Sequence, residues 1–466
     1  MISKKIAEQA LAAALRTGGD FAELFLEDRT SRTLSLQDGH IEDAITGRRH
    51  GAGIRVYQGT NSVYVHTNDT SLSGLLAAAS KAADAVPNVG PGPGAGSNRD
   101  IHLTRSLIAN IHPVRQRPMD VSGQRRAKLL RDADRAARAV SGEISQVSCG
   151  VYDWDSEVTI ANSEGLFLQD RRVNTRLAVH AVAEGNGETQ SGFSGPGALM
   201  GYELFETLVD PEEHARIAAN QAVTMLHADP CPAGVMPVVI DGGFGGVIFH
   251  EACGHSLEAE AVAFGNSEFA GKLGQMIASP IVTAIDDGTI PNEWGSSNVD
   301  DEGIPTTKLT LIENGVLKNY MVDRLNGRRM NMPSTGSGRR QDYTLPPTSR
   351  MRNTYIAAGD HDEAEIIASC GDGLYAKSMG GGSVNPATGE FNFAVAEGYL
   401  IRNGKIDKPV RGATLIGRGG EILKKIDRVG RKMWMAQGMC GASSGSIPTN
   451  VGQPMIRVTD ITVGGR

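Results

Sequence analysis

No run of roughly 18 or more apolar residues occurs in this 466-residue chain, so no membrane-spanning helix is expected. Nor do the first residues form a signal peptide, because Glu8 falls in the opening turns and no long apolar core follows Lys4 and Lys5. A soluble, cytoplasmic protein is the expectation. There is no excess of basic charge either: 46 Lys and Arg against 53 Asp and Glu leave a formal charge of −7, which argues against nucleic-acid binding. Cysteine is scarce and odd in number. Cys149, Cys231, Cys253, Cys370 and Cys440 are widely scattered, which excludes a disulfide framework and leaves each thiol free for the core or for a metal.

What the chain does have is glycine, 58 residues of it, well above the usual share of about 7%. Such abundance implies many turns and hence a β-rich portion. The length exceeds one ordinary core, so two domains are expected.

Apolar Ile6, Ala10, Leu11 and Leu15 recur at helical spacing, and Gly18-Gly19 stop that helix. Short strands are expected at Phe21–Leu26, Thr33–Gln37, Gly53–Tyr57 and Ser62–His66, followed by a helix over 72–85. Residues 87–98, rich in Pro and Gly, read as a linker or exposed loop. The order then repeats: a helix over 123–140 with Arg125, Arg126, Lys128 and Arg131 on a solvated face, and strands within 144–184. Two similar α+β units are implied. Asp210-Pro211-Glu212-Glu213 starts another helix, with a capping Asp, Pro in the first turn and acids at the positive end of the dipole. We place a domain boundary after it, giving an N-terminal α/β domain over 1–230 and a mainly antiparallel β-rich domain over 231–466, an α+β protein overall. In the second domain Asn314-Gly315 and Asn403-Gly404 carry hairpin chemistry, and a short helix is expected over 364–369.

The chemistry concentrates in 236–260. An apolar run, Met236 to Ile240, reads as a buried strand, and a glycine-rich turn follows. The turn lacks the Gly-Lys-Ser/Thr ending and the Gly-x-Gly-x-x-Gly spacing of nucleotide loops. Next stand His250, Glu251 and His255: two imidazoles to hold Zn²⁺ and a carboxylate to take a proton from water. Three residues separate Glu251 from His255, so the histidines are five apart, and on a regular helix they would diverge by about 140°. Chelation therefore requires a π-bulge or a bend at Gly254. The third ligand is open among Glu258, Glu260, His361, Cys253 and Cys440, the last in a Gly- and Ser-rich loop.

The His250-to-Glu258 segment resembles the metal-binding, TldD-like branch of the TldD/PmbA metallopeptidases. So do Gly338 to Tyr343, Arg350 to Tyr355, Gly380 to Phe393, and Cys440-Gly441 through Val451-Gly452-Gln453-Pro454. The resemblance implies a zinc peptidase acting on unfolded peptides or proteins. It implies His250, His255 and Cys440 as ligands, Glu251 as base, and Glu258 and Glu260 in support. It further implies a heterodimer with a metal-free paralogue, in which this chain is the catalytic partner; a homodimer is the alternative. Cys253 departs from the family pattern, which has an apolar residue there. For substrate, we expect Gly381 and Gly382 to expose backbone to an extended chain, and Arg339, Arg340 and Tyr343 to bind backbone carbonyls or a carboxylate. The rival reading is a non-enzymatic regulatory module stabilised by zinc, closed by a fourth ligand such as Cys253.

Overall fold

The computed structural model describes residues 2–86 and 100–465; the expected linker at 87–98 lies outside them. The fold is α+β. Its N-terminal part begins with α1 (Lys4–Ala14), capped by the Ser3 hydroxyl on the Ile6 N–H. One eight-stranded sheet follows, built from β1 (Phe21–Gln37), β2 (His40–Gln58), β3 (Asn61–Thr67), β4 (Thr104–Ser106), β5 (Ile144–Asn162), β6 (Leu166–Gly185), β7 (Glu188–Ser194) and β8 (Gly197–Ala198). The order is β3-β2-β1-β5-β6-β4, with β7 and β8 also on β6.

The strands expected at Phe21–Leu26 and Thr33–Gln37 are the two ends of β1, and Gly53–Tyr57 is the end of β2. The polar stretch between them stays extended because β1 pairs with β2 on one side and β5 on the other, so its peptide groups are satisfied whatever the side chains. Asp38-Gly39 and Asn186-Gly187 close two-residue hairpins with positive φ at both residues.

Helix α2 (Leu72–Asp84) ends the first half; α3 (Gly123–Arg138), a turn α4 (Leu204–Thr207) and α5 (Pro211–Leu226) belong to the second. Helix, three strands, helix thus recurs, the two copies meeting at the β1–β5 pair. Alternation sorts the side chains. Ala22, Leu24, Leu34 and Leu36 of β1 share cores that also contain residues of the helices. Glu23, Phe25 and Glu27 turn to the opposite face, toward Arg340, Val299 and Tyr343 from beyond residue 230. One basic residue of α3 departs from the expected solvated face: Arg126 is buried and pairs with Asp153 at 2.6 Å.

The C-terminal part contains β9 (Asp229–Pro230), β10 (Gly234–Ile240), β11 (Ala284–Asp287), β12 (Lys308–Glu313), β13 (Val316–Leu317), β14 (Gly338–Arg339), β15 (Thr348–Ser349) and β16 (Asn353–Ile356). After these come β17 (Gly373–Val384), β18 (Glu390–Arg402), β19 (Lys405–Arg411), β20 (Thr414–Arg418), β21 (Ile426–Val429), β22 (Trp434–Ala442), β23 (Gly445–Gln453) and β24 (Ile456–Gly464). Strands β17-β10-β24-β20-β18 pair in a closed circuit, since β18 returns to β17. A six-stranded sheet, β13-β12-β11-β16-β23-β22, lies beside it and ends on β22. Pairing is mainly antiparallel; β10–β17, β16–β23 and β19–β9 are parallel. Asn314-Gly315 and Asn403-Gly404 turn hairpins with positive φ. The second arm at Val316 is shorter than its apolar run to Met321 suggested.

Candidate metal centre

Strand β10 delivers the chain into a glycine turn that has little room for side chains. A Cβ on Gly246 would lie 2.6 Å from the Gly452 backbone, so the turn packs directly on β23, the strand paired with the one that carries Cys440. Three residues of α-helix, Val247 to Phe249, precede a π-helical segment over His250–Gly254. There the His255 N–H donates to the His250 carbonyl, an i→i+5 bond that brings residues five apart onto one side. The distortion required by the sequence spacing is present as a π-helix. Gly254 permits it sterically, since a Cβ there would meet the buried Met351 Sδ at 2.2 Å.

The two rings stand nearly perpendicular, with centroids 5.0 Å apart. Cys440 approaches from β22: its Sγ lies 3.3 Å from His250 Nε2 and 3.4 Å from His255 Nε2. One donor atom from each of the three residues falls within 4.8 Å of the others. Two imidazoles and one thiol form a donor set suited to zinc, and three protein donors leave a fourth tetrahedral position open. Burial pushes the Cys440 thiol up, but His250 and His255 outweigh it through charge and hydrogen bonding and bring it down to about 3. Burial would lower His255, yet the Glu258 carboxylate and Cys440 hold it well above the ordinary imidazole range. These directions favour an imidazolium–thiolate pairing in the absence of metal, one that would exchange its proton for a cation.

A second tier of side chains fixes these donors. Glu258 Oε2 lies 2.9 Å from His255 Nδ1, which turns Nε2 toward the thiol, and its Oε1 accepts from the Met351 N–H at 3.2 Å. Fully buried Arg350 stands 3.8 Å from the same Oε1 and donates to the Cys440 carbonyl, to Ser444 Oγ at 3.0 Å and to the Gly445 carbonyl at 2.8 Å. It therefore ties the carboxylate that orients His255 to the strand that carries Cys440 and to the turn that follows it. Nothing local in the sequence marks this role, because Arg350's partners are mostly main-chain atoms some 90 residues away. Glu260 accepts from Ser443 Oγ at 2.9 Å, a second link to the same turn.

Glu251 is partly exposed, and its Oε2 is 3.7 Å from His255 Nε2. Cys253, buried in the core, is not in the donor group, and burial followed by the Glu268 charge pushes its thiol well up. His361 is also outside the group; its Nδ1 lies 3.2 Å from the Val429 carbonyl.

Arg339, Arg340 and Tyr343 are buried and do not form a solvated basic loop. Arg340 donates to Glu23 at 2.7 Å and to the Asp301 carbonyl at 3.0 Å, and Arg339 to the Met351 and Pro448 carbonyls. The Tyr343 carbonyl accepts from Tyr64 at 2.6 Å. These groups are committed within the protein, an outcome the sequence did not signal. Gly381 and Gly382 are exposed on β17. Beyond Ala376 that strand is paired with a strand on one side only, to β18. The following loop approaches the metal group, where Ser256 Oγ donates to the Pro386 carbonyl at 3.0 Å.

Comparison with known proteins places the chain in a family. Residues 233–465 match the PmbA/TldA metallopeptidase C-terminal domain, 117–226 its central domain and 22–86 its domain 1. The chain is 36% identical over 457 residues to a Metalloprotease TldD homolog of Haemophilus influenzae, covering 96% of this chain and 93% of that one. A Zinc metalloprotease TldD homolog of Saccharolobus solfataricus is 32% identical over 271 residues, 57% of this chain and 59% of that one. Among solved structures, TldE from Thermococcus kodakarensis superposes with a TM-score of 0.77 at 18% identity, over 99% of this chain and 100% of that one. Among the described residues no helix is long and apolar enough to cross a membrane.

Proposed function

The chain belongs to the TldD/PmbA metallopeptidase family, and on that premise we propose that it is a zinc peptidase hydrolysing peptide bonds of unfolded peptides or proteins. The observation that carries this reading is the three-donor group of His250, His255 and Cys440 with the Glu251 carboxylate beside it. His250 and His255 would hold the metal through Nε2 and Cys440 through Sγ. Zinc, when bound, supplies Lewis acidity and makes a water acidic enough to ionise near neutral pH. Glu251 Oε2 then accepts the proton of the attacking water and returns it to the leaving amine. Glu258 keeps a proton on His255 Nδ1, so that Nε2 remains the donor.

An extended substrate would lie along the side of β17 that no strand pairs beyond Ala376, where Gly381 and Gly382 present main chain, and main-chain pairing gives affinity with little sequence preference. We assign residues 1–230 and 231–466 to an N-terminal domain and a domain carrying the chemistry. We further propose a heterodimer with a metal-free paralogue, with a homodimer as the alternative, in the cytoplasm. A purely structural zinc would need a closing fourth ligand, and Cys253, the candidate for it, is not in the donor group.

The test is cleavage of an unfolded peptide by wild type, Glu251→Gln and chelator-treated protein, with zinc content measured in each. Cleavage by the wild type alone, with zinc retained in the variant, is the expected result. Undiminished cleavage by Glu251→Gln overturns the assignment.

A further inference from the structure

A cavity of about 490 Å³ lies between the polar face of the N-terminal sheet and the β22–β23 hairpin. Its walls include Arg29, Trp154 and Trp294, and Met439 and Pro448 border it from the hairpin. Met439 and Cys440 are consecutive on β22, so their side chains leave opposite faces of the strand: Cys440 enters the metal group while half-exposed Met439 borders the cavity. Trp294 joins the two sites, since its indole N–H donates to the Gly438 carbonyl at 2.8 Å.

The charges around this cavity are unevenly paired. Six arginines line it against four carboxylates. Arg49 pairs with Asp342, Arg172 with Asp301, Arg340 with Glu23 and Arg48 with Asp28, while Arg339 is occupied by main-chain carbonyls. Arg29 alone among these six has no hydrogen-bonded or ion-paired partner among the described residues; its guanidinium lies 4.4 Å over the Trp154 ring. Glu27 is the neighbouring carboxylate on the same face; it accepts from Ser156 Oγ and the Tyr343 N–H, and its charge, with that of Asp342, acts on Arg29 without a hydrogen bond or close ion-pair contact. A half-buried guanidinium stacked on an indole keeps its in-plane donors free for a bidentate anion.

We infer that the cavity is a carboxylate-binding site, with Arg29 as the charge partner and Phe25, Trp154, Trp294 and Met439 packing the apolar body next to the carboxylate. A peptide's C-terminus is the source that the neighbouring metal group would supply. That source, but not the site itself, rests on the peptidase reading.

The experiment is calorimetric titration of the zinc-loaded Glu251→Gln chain, which removes turnover, with an apolar-ended peptide as free acid and as C-terminal amide. The acid is expected to bind about tenfold more tightly or better, the size of a charge-assisted contact, and Arg29→Gln is expected to reduce it to the amide's affinity. Arg29→Lys should restore part of the preference. Met439→Glu, a change at a half-exposed position, should weaken the acid selectively, so the inference remains testable if Arg29→Gln folds poorly. Equal affinity of acid and amide, or a preference that survives Arg29→Gln, overturns the site. Competition by N-acetyl-phenylalanine as strong as by the peptide supports the site with a free acid as its source; inorganic phosphate outcompeting both overturns the carboxylate assignment. Acid-selective binding without hydrolysis by the wild type, either alone or combined with its paralogue, would retain the cavity and remove the peptidase reading, whereas equal hydrolysis of acid and amide with the same KM removes the cavity alone.

Discussion

Two buried polar regions of this molecule differ in how their charges are compensated. Where the N-terminal sheet meets the C-terminal part, Arg55 pairs with Glu302 at 3.0 Å, Arg340 with Glu23 at 2.7 Å, and Arg172 with Asp301. Each of these three arginines has its opposite within the chain, as burial demands. In the metal group, by contrast, two imidazoles and a thiol converge on one another, the aligned nitrogens and sulfur competing for the same small space. Protons alone satisfy such a cluster, and a cation satisfies it better. Internally paired charge marks structure, whereas converging lone pairs mark a ligand.

The largest effect that would sharpen this contrast is on rate. Glu251→Gln should lower peptide hydrolysis by about 10²- to 10⁴-fold, the usual contribution of a general base, with zinc stoichiometry unchanged. Loss of zinc along with activity would make Glu251 part of the binding site. In the paired region, Arg340→Leu leaves Glu23 uncompensated and should cost about 3–5 kcal/mol in urea unfolding, with the zinc affinity of the folded fraction unaltered. A wild-type midpoint in that variant would break the comparison. Glu258→Gln should weaken zinc binding by about 10- to 100-fold in a chelator competition, because the carboxylate that orients His255 is lost. The smallest effect is a proton count. His255 is held well above its ordinary range and Cys440 down to about 3, so the metal-free protein should keep its thiolate absorbance near 240 nm at pH 6. Zinc should then release a proton from His255, and its affinity should rise with pH as that imidazolium is lost. A thiolate that appears only near pH 9 would overturn the imidazolium–thiolate description.

Much of this was legible in the chain itself. The π-helix follows from the five-residue step between His250 and His255, and the Asn-Gly pairs announced their hairpins by their tolerance of positive φ. The length of β1 was hidden because its middle, Glu27 to Arg32, is polar and shows no apolar alternation; pairing on both sides holds it extended. The internal partners of Arg339 and Arg340 were hidden for a related reason. Arg340 meets Glu23 and the Asp301 carbonyl, and Arg339 the Met351 and Pro448 carbonyls, none of them adjacent in the sequence.

Sequence alone marked His250 and His255 as candidate donors and required the backbone distortion that brings them together, because helical periodicity and residue chemistry are local properties. Only the tertiary structure decided which of five candidates completes the group, how Glu258 and Arg350 hold it, and that Arg29 is left without a partner. Those outcomes depend on strands roughly 90 to 190 residues apart in the chain being brought together, and no local pattern encodes that closure.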